Sequence, residues 1–244
     1  MKKLTVLFII GCMAFHALAQ QRLIEMKYWN NKAVLPLVLY LSGDGGFNSF
    51  SNKICQLIAD AGYAVAAIDS KNYFWKKKTA KDIAADISNT LKNLILARQN
   101  QQLFIVGYSF GADAVPFIIN RIDPLVKKNV RSIVLLEPSV STDLEIHIAD
   151  ILGRSNTKRS LDVVAEINRI EGIKTSIVLG DDETEFPVEK IRLKNFNKKY
   201  LSGGHHFSGN ADKVVKTTLS LFSISYPRSN KLIKRPTIFE LVFK

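Results

Sequence analysis

The sequence predicts an α/β fold: a mostly parallel, doubly wound sheet with helices on both faces and little or no lid. Three observations carry this. Short apolar runs recur along the chain, several closed by Gly or Asp, as strands buried on both faces require. Amphipathic stretches at helical spacing separate them. No internal repeat or linker-like stretch interrupts the rhythm, so residues 20–244 read as one domain.

The strand-like runs are Leu35 to Leu41, Tyr63 to Ile68, Leu103 to Val106, Val130 to Leu136, Thr175 to Leu179 and Lys198 to Leu201. Between the first two, Ser51 to Ala61 places Ile54, Leu57, Ile58 and Ala61 on one helical face and stops at Gly62, a natural C-terminal cap. Thr79 to Ala97 sets Ile83, Ile87, Leu91, Leu94 and Ile95 on one face in the same way. Asp113 to Ile122, Leu161 to Ile170 and Ala211 to Phe222 complete the helical set. The interval between the fourth and fifth strands, which opens with Leu144 to Leu152, is too short for a large lid.

Composition bounds the answer. The 244 residues are 47% hydrophobic and 23% charged, with 13 Gly and 7 Pro, which suits a globular domain and excludes collagen-like and disordered chains. Two cysteines, Cys12 and Cys55, cannot build a disulfide scaffold. The formal charge of +12 favours anionic partners such as phospholipid surfaces, but no basic–aromatic nucleic-acid motif accompanies it.

Lys2 and Lys3, the apolar run Leu4 to Leu18 and Ala17-Leu18-Ala19 form a signal-peptide pattern over residues 1–19. Export to the periplasm as a soluble protein is the expectation, since no later run is long enough to cross a bilayer. Ile9-Ile10-Gly11-Cys12 offers a competing reading in which a lipidated Cys12 tethers the protein.

Gly107-Tyr108-Ser109-Phe110-Gly111 has the form G-x-S-x-G and falls where the third strand must turn into a helix. A serine on such a strained turn needs neighbours without side chains, and its hydroxyl then projects into a cleft. The Phe110 amide opens the helix and can hold a developing oxyanion. Ser42-Gly43-Asp44-Gly45-Gly46 follows the first strand and supplies a second amide, that of Asp44; no Lys-Ser/Thr follows, which disfavours a nucleotide-binding loop.

A serine nucleophile needs a base. His205 and His206, in Gly203-Gly204-His205-His206-Phe207, stand after the last strand; His205 is the first choice and His206 its rival. No Cys, Asp or Glu lies beside them at a metal-ligand spacing, so neither a metal nor an organic cofactor is expected. The orienting acid is sought after the fifth strand, in Gly180 to Glu185, with Glu183 ranked first, Asp182 close behind and Glu185 third.

Four segments together resemble the VirJ/AcvB family of bacterial virulence proteins: Ser42 to Phe47, Asp69 to Trp75, Gly107 to Asp113 and Gly203 to Phe207. The resemblance covers most of the chain after the leader, although Phe47 stands where the family commonly has tryptophan. It implies an α/β-hydrolase domain, a link with type IV secretion and, for the AcvB branch, hydrolysis of lysyl-phosphatidylglycerol. In such a substrate Ser109 would attack the aminoacyl carbonyl, and Asp44 or Asp113 would recognise the amine, unless these acids only tie loops together.

Tyr73-Phe74-Trp75 followed by Lys76 to Lys78 suits either a lipid–water boundary or the wall of the cleft, with Tyr73 as a substrate-binding candidate. The ending Tyr226 to Lys244 reads as a packed strand or tail, with attachment to anionic lipid as the alternative. Two other functions remain open: a periplasmic accessory factor that binds secretion substrates without catalysis, and a general carboxylesterase or lipase.

Overall fold

A computed structural model describes residues 23–147 and 159–222. The leader, Cys12, the ending after Phe222 and the middle of the interval after the fourth strand lie outside these residues.

The described residues form a seven-stranded sheet of order β1-β3-β2-β4-β5-β8-β9. Its strands are β1 (Lys27–Trp29), β2 (Leu37–Leu41), β3 (Ala64–Ile68), β4 (Leu103–Tyr108), β5 (Val130–Leu136), β8 (Lys174–Gly180) and β9 (Phe196–Leu201). Only β1 runs antiparallel, against β3; every other pairing is parallel. All six expected strands are present. β1 is an addition, three residues with no apolar run to announce them.

Both faces of the sheet are covered, and β2 shows how. Leu37, Leu39 and Leu41 point into one core with Ile83, Ile87 and Leu91 of α3 (Ala80–Leu96) and with Val115 and Ile118 of α4 (Phe110–Ile119). Val38 and Tyr40 point into the other with Ile54 and Ile58 of α1 (Ser49–Asp60) and Val214 and Leu221 of the last helix, α7 (Ala211–Leu221). This is the two-residue alternation of a strand read on two apolar sides.

The helices begin where capping chemistry dictates. Asn48 accepts from the Ser51 amide at the start of α1, Thr79 from Asp82 at α3, and Asn210 from Lys213 at α7, each meeting an N–H with no partner inside its helix. Two short helices, α2 (Ser70–Tyr73) and α5 (Pro124–Lys127), start at Asp69 and Asp123 in the same way.

Between β5 and β8 the chain makes a small antiparallel ribbon, β6 (Ser141–Thr142) with β7 (Leu161–Asp162), and then α6 (Val163–Ile167). The helix expected over Leu161 to Ile170 is therefore shorter, because Leu161 and Asp162 pair with β6 and Asp162 caps the helix. Among the described residues no helix is long and apolar enough to cross a membrane.

Candidate active site

The site assembles at the carboxyl ends of β2, β4, β5, β8 and β9. α4 begins at Phe110, three residues earlier than expected, so the strand-to-helix turn is a single residue, Ser109. Ser109 holds φ 50 and ψ −119, a conformation that a side-chain-bearing residue adopts only under constraint. The flanking glycines make the turn possible. A Cβ on Gly107 would lie 2.5 Å from the Gly111 carbonyl oxygen, and one on Gly111 would lie 2.3 Å from that of Leu41. Gly111 thus belongs to the helix because the helix start packs directly on the end of β2.

Ser109 occupies the N-cap position of α4, yet its side chain makes no capping hydrogen bond. Its Oγ instead lies 2.9 Å from His205 Nε2. The ring of His205 is carried by a loop that leaves β9 through Gly203 (φ +108) and Gly204 (φ +58), and a Cβ on Gly180 would lie 2.7 Å from the Gly204 carbonyl carbon. Glycines at all three positions let the loop close over β8.

The acid nearest the other face of the ring is Glu137, which no sequence argument had singled out. It directly follows β5, is 1% exposed, and turns at φ 52. Its Oε1 accepts a hydrogen bond from the Gly180 amide, and its Oε2 faces His205 Nδ1 at 3.6 Å. Such contacts commonly tighten only when substrate is bound. The Glu137 carboxylate raises the pKa of His205 above its usual value, and partial burial of the ring opposes it. With its proton held on Nδ1 toward Glu137, the imidazole presents a bare Nε2 to the Ser109 hydroxyl.

The expected acids stand elsewhere. Asp182 is exposed, with its carboxylate oxygens about 3.0 Å from where a Gly204 side chain would begin. Glu183 comes closer, offering an atom within 4.8 Å of Glu137 and His205, but its Oε1 accepts from the amides of Glu185 and Phe186 at 2.5 and 3.0 Å. Glu185 is exposed. Glu183 spends its carboxylate on its own loop's backbone and Asp181 accepts from the Gly203 amide, and the buried position facing the ring belongs to Glu137. Among the described residues, Glu137, Glu183 and His205 are also ligand-type side chains close enough to share a cation, which would compete with the ring proton.

His206 faces away from Ser109: its Nδ1 lies 2.7 Å from the Tyr108 hydroxyl, which also reaches the His205 carbonyl oxygen at 3.3 Å. Tyr108, buried beside Glu137 and Asp44, has its phenol pKa raised, so it stays protonated. The second histidine and the residue before the serine therefore hold the base loop.

For the oxyanion, the Phe110 amide is the first N–H of α4, and a Cβ on Gly43 would lie 3.3 Å from Ser109 Cβ, which brings the Gly43–Asp44 turn against the serine. Among the described residues neither the Asp44 nor the Phe110 amide donates to a backbone carbonyl. The half-buried Asp44 carboxylate bends back to the Gly45 amide at 2.8 Å.

Asp113 fits the loop-tying alternative: it is 4% exposed, and its Oδ1 accepts from the Ser139 amide at 2.6 Å, which ties α4 to the loop after β5. Burial pushes its pKa up to about 8. Tyr73 is removed from the serine: its hydroxyl donates to Asp86 at 2.8 Å, and its ring lines a cleft of about 470 Å³ with Phe47, Asp69, Trp75 and Lys78 that does not reach Ser109. Phe74 is the buried member of that aromatic run and packs edge-on against Phe110, their centroids 5.0 Å apart.

Solved structures share this architecture at low identity. A lipase-esterase related protein from Clostridium acetobutylicum aligns with 81% of this chain and 99% of its own at 17% identity and TM-score 0.57. Est1E from Butyrivibrio proteoclasticus aligns with 81% and 92% at 15% identity and TM-score 0.53. A bromoperoxidase from Bacillus anthracis aligns with 80% and 94% at 13% identity and TM-score 0.58. The fold is that of the α/β hydrolases. No curated protein sequence matches the chain. The family profile described as "Bacterial virulence protein (VirJ)" matches residues 36–224, and with six of the sheet's seven strands and the whole serine–histidine constellation inside that span, the chain belongs to the VirJ family.

Proposed function

We propose that this protein is an exported serine hydrolase that cleaves an aminoacyl ester of phosphatidylglycerol in the periplasm. The observation that carries the reading is the alignment of Ser109 Oγ, His205 and Glu137 on one line of contacts, beside the Phe110 and Asp44 amides, neither of which donates to a backbone carbonyl among the described residues. A scaffold has no use for a serine held at strained angles with its hydroxyl kept from capping its own helix.

In the first half-reaction Ser109 Oγ attacks the ester carbonyl carbon and its proton passes to His205 Nε2. Glu137 stabilises the imidazolium, and the amides of Phe110 and Asp44 receive the oxyanion. Collapse breaks the bond to the glycerol oxygen of the head group, which takes the proton from His205. Water then attacks the acyl-enzyme with the same proton transfers and releases the free amino acid, regenerating Ser109.

The preference for an aminoacyl group is supported by charge. The chain is basic overall, yet the half-buried Asp44 stands on the turn packed against Ser109, and Glu183 offers an oxygen within 4.8 Å of His205, negative charge that favours a substrate ammonium over a free anion.

The test treats purified protein and Ser109→Ala with a fluorophosphonate probe, then with lysyl-phosphatidylglycerol vesicles, following free lysine. Serine-dependent labelling with lysine release is the expected result. Labelling with release only from neutral esters would make it a general carboxylesterase or lipase. Neither labelling nor release from folded protein would favour an accessory factor of type IV secretion that binds without catalysis.

A further inference from the structure

Glu183 takes no part in the proton path, yet it stands with two residues that do. One ligand-type atom each of Glu137, Glu183 and His205 lie within 4.8 Å of one another. Their burial is graded: Glu137 is 1% exposed, Glu183 is half-buried and His205 is open to solvent, so an ion has a way in. The three follow β5, β8 and β9, which is why no local spacing in the sequence marks them.

Both carboxylates are aimed by backbone amides. Glu137 Oε1 accepts from the Gly180 amide, which leaves Oε2 for the ring. Glu183 Oε1 accepts from the amides of Glu185 and Phe186, which leaves its other oxygen without a hydrogen bond among the described residues. Outer contacts of this kind orient the ligands of metal sites. His205 Nδ1 and Glu137 Oε2 stand 3.6 Å apart. That is longer than an N–H···O hydrogen bond of about 2.7–3.2 Å. It matches two donors that lie about 2.0–2.2 Å from one zinc ion and subtend about 120° there. One imidazole with two carboxylates suits an ion of the zinc kind, whereas magnesium and calcium take oxygen ligands. The other histidine–carboxylate pair, His147 and Asp143 at 2.9 Å, has Arg159 at 3.5 Å from the same carboxylate oxygen, a charge that opposes a cation.

We propose that Glu137, Glu183 and His205 form an inhibitory site for a divalent transition-metal ion, with zinc as its representative. The proposal rests on the reading of Ser109 and His205 as nucleophile and base. The ion takes the lone pair at Nδ1, so the single proton of the neutral ring moves to Nε2, and none is gained or lost. Nε2 then points an N–H at Ser109 Oγ, 2.9 Å away, and has no lone pair for the hydroxyl proton. Glu137, bound to the ion, no longer stabilises an imidazolium. Hydrolysis stops, and removal of the ion restores the base.

The test is a zinc chloride titration of the purified protein, read by calorimetry and by hydrolysis of a soluble neutral ester, each rate taken relative to the same protein without metal. Wild type should bind zinc and lose hydrolysis with it, and a chelator should restore the rate. Glu183→Gln should need on the order of 10–100-fold more zinc for both, the loss that removing even an outer partner of a metal ligand causes. Any metal-free hydrolysis by this variant shows that it folds. Ser109→Ala should bind zinc as wild type does, because the hydroxyl is not a ligand.

Equal zinc dependence in wild type and Glu183→Gln overturns the proposal. So does loss of inhibition in His147→Gln with none in Glu183→Gln, which would move the ion to the Asp143 pair. Inhibition by magnesium at the same concentrations would also overturn it, since the imidazole would then play no part. Glu183-dependent zinc binding in a protein that neither labels at Ser109 nor hydrolyses an ester would strike the hydrolase reading and leave the metal site standing.

Discussion

Glu137 leaves the sheet one strand before the loop that holds Asp182 and Glu183, yet it is the Glu137 carboxylate that faces Nδ1 of His205, at 3.6 Å. Burial and the Gly180 amide fix it there. Glu137→Gln should therefore lower kcat on a soluble ester by on the order of 10³–10⁴, the cost of losing the tautomer-setting carboxylate. Asp182→Asn should change it less than about threefold, because that carboxylate faces backbone. Steady-state kinetics on the two variants checks the assignment, and the reverse ranking would return the acid to the loop after β8.

The pH profile carries the same assignment. His205 must be neutral at Nε2 to accept the serine proton, and Glu137 raises its pKa above the usual histidine value. The acid limb of kcat/KM should accordingly fall at a pH above that of an ordinary histidine, with activity rising as pH rises through it. In Glu137→Gln the raising charge is gone while the partial burial stays, so the limb of the residual activity should move to lower pH. A limb that stays in place would deny Glu137 its contact with the ring.

Much of this site could be read before the fold was known, and the reasons differ by residue. Ser109 was legible because its two glycines answer to backbone clashes that are local in sequence, and His205 because a base must come late in the chain. Glu137 was not, since its partner is 68 positions away and the only local sign is an acid closing an apolar run, directly before Pro138. His205 and His206 could not be ranked by spacing either. What separates them is that Tyr108, adjacent to the serine, takes the second one by a hydrogen bond across the sheet. Likewise the strands emerged from apolar runs, whereas β1 and the β6–β7 ribbon exist only through pairing with distant partners.

Asp113 ties stability to pH. Its folded pKa of about 8 lies above its ordinary value of 3.8 because burial penalises the charge. The folded state therefore binds the proton more tightly, so its stabilising contribution is full below about pH 4 and is lost as pH rises toward 8. Asp113→Asn keeps an oxygen to accept from Ser139 and removes the charge. Its melting temperature should exceed that of wild type at pH 8, by about 2–4 °C for each kcal/mol recovered, and the difference should shrink at pH 5. Equal differences at both values would mean that the side chain is charged throughout.

Gly111 tests whether the serine turn rests on close backbone packing. Alanine there would place its Cβ 2.3 Å from the Leu41 carbonyl oxygen and 2.6 Å from that of Ser42, neither of which is a flexible side-chain end. The start of α4 must move off β2, which costs about 1–3 kcal/mol in overpacking strain and shifts the Phe110 amide with it. Urea unfolding should show that loss. Activity should fall further than the folded fraction does, since a displacement near 1 Å at the nucleophile costs on the order of 10² in rate. Gly62→Ala makes the informative control: it strains a positive φ of 91° but meets nothing within 4 Å, so it should lose stability while the remaining folded protein keeps its full turnover.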